Sequence, residues 1–374
     1  VAGRPPRDLP PELIEEPCGK ALFGVLVEGL ADRFEPALCD AYARLFAQAV
    51  PGEDAAKLVE RYGRARQVRP VEGGFERVAV LSRVTLGADV AVTSVLMAAA
   101  KRRFPGAEIL FAGPRKNYEL FAGDPWVRHV PVEYRRGGLR ERLAAAVDLR
   151  AKLEGEDALV LDSDSRLTQL GLLPVCSEER YRLFESRAYG GDSARSLPEL
   201  AAAWAEETLG VADARPYIAI EPLHAARPYI TVNLGVGENA AKRLPDPFEE
   251  KLLRMLAATG LPIVLDKGGA DEEAVRVERA AERSGAALSF WEGSFAGFAA
   301  IVAGSRLYVG YDSAGQHVAA ACGIPLISIF AGFPVPRMFD RWRPVGPGCE
   351  VIRVDQPDVE ATLARVEAAL ARRF

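Results

Sequence analysis

Histidine is scarce in this 374-residue sequence, with three in all, and the five cysteines (Cys18, Cys39, Cys176, Cys322, Cys349) form no CxxC pair. That inventory argues against a His-rich metal centre and against a zinc site. An odd, scattered set of thiols points to reduced cysteines in a cytoplasm rather than a disulfide frame. No apolar run reaches the roughly 18 residues that span a bilayer. The opening VAGRPPRDLPPELIEEP lacks the basic-then-apolar pattern of a secretory leader, so a cytoplasmic protein is expected. Neither charge dominates: 47 basic residues stand against 52 acidic ones, for a net charge of −5. General binding to nucleic acid is not expected from that balance.

What is present is the composition of a soluble globular protein, 49% hydrophobic and 26% charged, long enough for two domains. The first 70 residues stand apart. A proline-rich start leads into helical segments near 22–30, 36–49 and 53–62, with Leu38, Tyr42, Leu45 and Phe46 at the spacing of a buried stripe. These read as a helical extension that docks on a neighbouring domain or subunit and carries no recognisable chemistry. From Arg77 onward strands and helices alternate: RVAVLS, AEILFAG, VRHVPV, ALVLD and LGLLPV, with helices between them. A second series follows: YIAIE, YITVNLG, PIVLD, AALSF, RLYVG, PLISIF and EVIRV. Such alternation predicts α/β architecture, with two doubly wound parallel sheets facing a cleft. The expected divisions are a helical extension (1–70), a first Rossmann-like domain (71–215), a second one (216–356) and a closing helix (357–374).

The second domain is organised around RLYVGYDSAGQHVAAACGIPLISIF, residues 306–330. A β-branched and aromatic strand ends at Tyr311-Asp312-Ser313, whose side chains suit a helix cap. A small-residue helix follows from Ala314, Gly323 closes it, and an apolar strand begins after Pro325. The open N–H groups of Ser313, Ala314 and Gly315, with the helix dipole, suit an anion. His317, one turn in, can add a donor; an ordinary capped βαβ unit with a buried histidine explains the pattern equally well.

Four other stretches admit two readings each. Gly87 predicts a tight turn after the first strand and sets Asp89 at a helix start. There it complements the dipole or serves as a general base. NLGVGENAA (233–241) is similar to a dinucleotide fingerprint, but Pro245 and Pro247 delay the helix to about Asp246. Its glycines then serve a loop that presents Lys242 and Arg243 to a diphosphate or to solvent. DSDS (162–165) contains the Asp-x-Asp that holds a divalent cation in some sugar transferases, a pattern that is also frequent by chance. The basic run Arg135, Arg136, Arg140 and Arg142 is a solvated face or a receptor for an anionic acceptor.

Taken together these motifs resemble glycosyltransferase family 9, the bacterial heptosyltransferases of the lipopolysaccharide core, over roughly residues 77–356. VLSRVTLGADVAVTSVLMAAAKRRFPGAEILF is similar to the family's opening signature, with Ala88 inserted between the usual Gly-Asp pair. ALVLDSDSR resembles "DLVIDLQGSLR", giving Asp162 and Arg166 counterparts and placing Asp164 where glutamine is usual. AAKRLPDPF resembles "SKRWPxExF", and VLDKGGADEEAV resembles "LLGGPxExEx". YDSAGQHVAAACGIPLISIFAG resembles "NDSGxxHLAAALGxPxVxLFGP", with Ala314 in the glycine's place and AGFPVP replacing "GPTDP".

The resemblance implies a GT-B enzyme that transfers sugar with inversion and without metal or resident cofactor. Its donor would be a nucleotide sugar, by default ADP-heptose. Asp89 would be the catalytic base. Lys242, Asp312, Ser313, Ala314, Gly315 and His317 would hold the donor diphosphate, and Glu272 the ribose. Arg166, Arg135, Arg136 and Arg140 would meet an anionic glycan or glycolipid acceptor at the inner face of the inner membrane. Two rival classes remain at this stage: a sugar-nucleotide epimerase on the same architecture, and a non-catalytic nucleotide-binding or scaffold protein.

Overall fold

Continuous apolar runs set the strands, and in a computed structural model they lie in two separate all-parallel sheets. The structure describes residues 22–374 apart from 136, 238 and 270. By internal contacts the chain divides into two units, Val1–Pro216 and Tyr217–Phe374.

The first unit carries β1 (Arg77–Leu81), β2 (Glu108–Gly113), β3 (Val127–Pro131), β4 (Leu159–Asp162) and β5 (Tyr181–Leu183), in the order β3-β2-β1-β4-β5. Its inner strands are buried on both faces, which is why β1 reads VAVL and β4 LVLD without polar alternation. The chain steps outward from β1 to β3 and then returns to the other side of β1. The β1/β4 boundary is therefore a topological switch point, where parallel sheets leave a crevice outside their carboxyl ends.

The helical extension belongs to this unit and shares its core. Phe23, Val27, Leu45 and Phe46 are buried in one cluster with Ala79 and Leu81 of β1. The helix Pro36–Ala49 begins with proline at its first turn, and the helix Ala55–Ala65 is capped by Asp54, which accepts from the Ala56 and Lys57 N–H groups. Arg61 then reaches the carbonyls of Gly171 (3.0 Å) and Leu172 (3.3 Å), with its guanidinium over the Tyr181 ring. The LGLLPV stretch is not a strand. Gln169, Leu170 and Gly171 all take positive φ, and the run is a buried loop beneath these helices.

The second unit carries β6 (Ile230–Asn233), β7 (Ile263–Asp266), β8 (Ser289–Trp291), β9 (Leu307–Tyr311), β10 (Leu326–Phe330) and β11 (Cys349–Arg353), ordered β11-β10-β9-β6-β7-β8. Its switch point falls between β6 and β9. The expected strand YIAIE is irregular chain at the start of this unit. The closing helix Val359–Ala371 packs Leu363, Val366 and Leu370 into the second core, so it is part of the second unit.

Candidate functional site

At the switch point of the second unit, Asn233 ends β6 and ties three loops together. Its Nδ2 donates to Asp266 Oδ2 at 2.6 Å, while its Oδ1 accepts from Gly235 N at 3.0 Å and from Ser313 Oγ at 3.2 Å. Ser313 is the residue before the helix Ala314–Ala321, but it makes no side-chain cap bond. Its hydroxyl is taken by Asn233 and by Tyr308, whose OH lies 3.2 Å away. The capping role expected for Tyr311-Asp312-Ser313 is thus not the one found, and the first-turn N–H groups are left to other acceptors. Gly315 is required in that turn, since a Cβ there would stand 2.5 Å from the Tyr308 hydroxyl.

Lys242 arrives at this helix from a 3-10 turn, Ala240–Lys242, started by Asn239, whose side chain accepts from Ala241 N. The turn is pressed against the loop after β10. Gly332 takes φ +67°, and a Cβ on it would lie 2.4 Å from the Ala241 carbonyl. Lys242 Nζ then pairs with Asp312 Oδ2 at 2.6 Å and donates to the Asp312 carbonyl at 3.2 Å. Arg243 turns elsewhere, to Glu249 and Asp246. Of the two cations on the loop, Lys242 faces the helix and Arg243 braces the loop.

His317 is buried in the same helix, edge-on to Trp342 at 5.9 Å. Burial, with a smaller contribution from Lys242, lowers its pKa to about 4, against the pull of Asp312. The imidazole is therefore neutral at pH 7 and can offer a single N–H. Gln316 orders the group: its amide nitrogen donates to Asp312 Oδ1 and lies 3.4 Å from His317 Nε2, while its Oε1 accepts from Ser328. Glu272 is exposed at the start of the helix Asp271–Ser284. Its neighbour Glu273 touches the site loop instead, accepting from Val236 N at 3.2 Å.

In the first unit, Asp89 sits at the β1/β4 switch point with no solvent exposure. Oδ1 accepts from Arg83 N and Thr93 Oγ1, and Oδ2 from Ser82 Oγ and Asn117 Nδ2, each at 2.6 Å. Burial raises its pKa, against these four donors, each of which favours the ionised form. In this arrangement the carboxylate is closed to a substrate. The turn it holds is strained, for Val84 has φ +62°, a conformation that a β-branched residue rarely takes. Gly87 is not the turn residue; it lies in the helical turn Leu86–Ala88. A π-turn over Asp89–Thr93 follows directly.

The two aspartates of DSDS are held by protein donors. Asp162 accepts from Ser165 N, Thr168 Oγ1 and Tyr181 OH, and Asp164 accepts from Ser186 Oγ and Arg187. Arg166 faces Glu28 and Asp32 of the helical extension. Arg135 and Arg140 are exposed, Arg142 is buried, and Arg136 lies outside the described residues. The structure gathers Lys242, Asp312, Ser313, Ala314, Gly315 and His317 into one site. Glu272 is exposed at the start of its helix, and Asp89 and the arginines belong to the first unit. Asn233, Gln316, Glu273 and Asn117 went unnoticed in the sequence; only Asn233, as the polar end of an apolar strand, left a signal there.

Two Rossmann-like units, with an anion-suited helix N-terminus and a lysine at the switch point of the second, define a GT-B glycosyltransferase architecture. The sequence model of glycosyltransferase family 9 (heptosyltransferase) matches residues 176–366, and the chain belongs to that family. No curated protein sequence matches it. Among solved structures it is similar to Escherichia coli heptosyltransferase WaaC with ADP-2-deoxy-2-fluoro heptose, at 18% identity and TM-score 0.59, covering 80% of this chain and 100% of that one. It is also similar to E. coli ADP-heptose lps heptosyltransferase II, at 19% identity and TM-score 0.56, covering 80% and 98%. The family 9 glycosyltransferase of Veillonella parvula gives 15% identity and TM-score 0.57, covering 80% and 90%. At such identities the likeness concerns the fold. Among the described residues no helix is long and apolar enough to cross a membrane.

Proposed function

We propose that this glycosyltransferase moves a sugar, heptose by family resemblance, from a nucleoside diphosphate donor to a saccharide acceptor, with inversion and without a metal ion, in the cytoplasm. The observation that carries the reading is the uncapped turn at Ser313, Ala314 and Gly315 with Lys242 beside it. Open N–H groups, a helix dipole and one ammonium are what a leaving diphosphate needs as its charge develops. Neutral His317 adds a hydrogen bond rather than a charge. Similar structures carry ADP and an ADP-heptose analogue by their own descriptions, which supports an adenine nucleotide as the first donor to try.

The acceptor is assigned to the first unit, with Asp89 as the base. For that step the acceptor hydroxyl must replace one of the four donors on Asp89, after which the carboxylate takes its proton as oxygen attacks the anomeric carbon. Isothermal titration with ADP, with and without a chelator, tests the donor half. Unchanged affinity in chelator is expected; strict dependence on magnesium would overturn the metal-free mechanism.

A further inference from the structure

Arg142, Arg166 and Arg187 gather in the first unit beneath the segment formed by the π-turn Leu22–Val27 and the short helix Glu28–Ala31. Most of the carboxylates facing them come from that segment and the residue after it. Glu28 Oε1 accepts from Arg142 and lies 3.7 Å from Arg166; Asp32 Oδ1 lies 3.1 Å from Arg166 and 3.3 Å from Arg187. Arg187 has a second partner in Asp164, a residue of the sheet's own rim. Among the described residues Arg142 and Arg166 have no carboxylate partner except Glu28 and Asp32.

Two protein oxygens thus each bridge two guanidinium groups, and both sites lie beyond the carboxyl ends of β4 and β5, the rim where parallel sheets take ligands. Guanidinium forks fit phosphate and carboxylate oxygens in this way. Among the described residues of this segment, Leu22, Phe23, Val27 and Ala31 enter the first unit's core and Leu30 packs against it, while the ion pairs occupy its polar side.

We infer that Arg142, Arg166 and Arg187 form an anion-binding site occupied here by the chain's own Glu28 and Asp32, and that a phosphate or carboxylate group of the acceptor displaces the segment of residues 22–32 to reach it. The inference rests on the assignment of the acceptor to the first unit. It adds that the extension competes with the acceptor's anion for these arginines.

Hydrogen exchange on the full chain tests this, at constant ionic strength set with chloride, with inorganic phosphate in one arm and glucuronate in the other. Amides of residues 22–32 should exchange at least tenfold faster with the anion that fits, and the responding arm identifies phosphate or carboxylate. In Glu28→Gln/Asp32→Asn these amides should exchange fast without any anion, and phosphate or glucuronate should bind at least tenfold tighter. Arg142→Gln/Arg166→Gln should abolish the response. Should a double variant fail to fold by circular dichroism, the wild-type exchange decides alone. No acceleration by either anion would overturn the proposal and leave the cluster a structural one. Parallel titration with ADP, read at residues 307–321, keeps the two readings separate: binding there with no response at 22–32 sinks this inference alone, while the reverse sinks the transferase reading of the donor site.

Discussion

Lys242 and Asp312 form an ion pair, 2.6 Å from Nζ to Oδ2, directly before the first turn of the helix Ala314–Ala321. The lysine is one-fifth exposed, so its ammonium can exchange its carboxylate partner for a diphosphate oxygen without leaving its place. Lys242→Ala should weaken ADP binding by roughly one to two decades, the worth of a charge-assisted contact of about 1.5–3 kcal/mol. Titration calorimetry measures it. Affinity equal to wild type would place the diphosphate elsewhere.

His317 makes stability depend on pH. Its folded pKa of about 4 lies below the ordinary 6.5, so between those values the unfolded chain binds the extra proton. Stability from this group is therefore fully present above pH 6.5 and is lost as pH falls toward 4, by about 3 kcal/mol at the full extent. His317→Gln should flatten the melting temperature across that window. A variant whose pH profile superposes on wild type would show that the imidazole does not titrate as its burial requires.

Asp89 separates two roles by two measurements. Asp89→Asn turns an amide toward donors that need an acceptor, and a buried unsatisfied donor costs about 1–3 kcal/mol. A melting temperature lower by several degrees is expected on that ground alone. If Asp89 is also the base, transfer should fall by roughly 10²–10⁴ with ADP affinity unchanged. Ser82→Ala is the control, since it removes one donor and keeps the carboxylate. Full transfer in Asp89→Asn would end the assignment as base.

Removal of residues 1–70 should unfold the first unit while the second still binds ADP. Phe23, Leu45 and Phe46 belong to the same core as Ala79 and Leu81, and each large side chain withdrawn exposes about 1.5–3 kcal/mol of burial. Calorimetric unfolding of the shortened protein should show the loss of one transition. A shortened protein that melts like wild type would mean that the shared core is dispensable.

Much of this architecture was legible in the sequence because parallel strands must be apolar on both faces, and RLYVG and PLISIF have no other comfortable place. LGLLPV misled for the same reason. Its leucines are buried, but under the helical extension and not in a sheet, and an apolar run does not say what covers it. The grouping of Lys242 with Asp312 and His317 was legible through the spacing from Asp312 to His317 and through two prolines that delay the next helix beyond Lys242. Their bonding was not. Ser313 could cap its helix or serve Asn233, and only the position of β6, about 80 residues earlier in the chain, decides between them. Glu272 and Glu273 are likewise indistinguishable until the helix phase is known.

The contact of Gly332 with Ala241 joins two loops that sequence comparison would treat as independent parts. With a carbonyl where a Cβ would have to go, neither loop can change course without the other. The AGFPVP sequence after β10 and the turn that delivers Lys242 therefore form one structural unit. A chimaera that replaced one of these loops alone would carry a mismatched joint beside Lys242; the two exchanged as a pair would keep the joint intact.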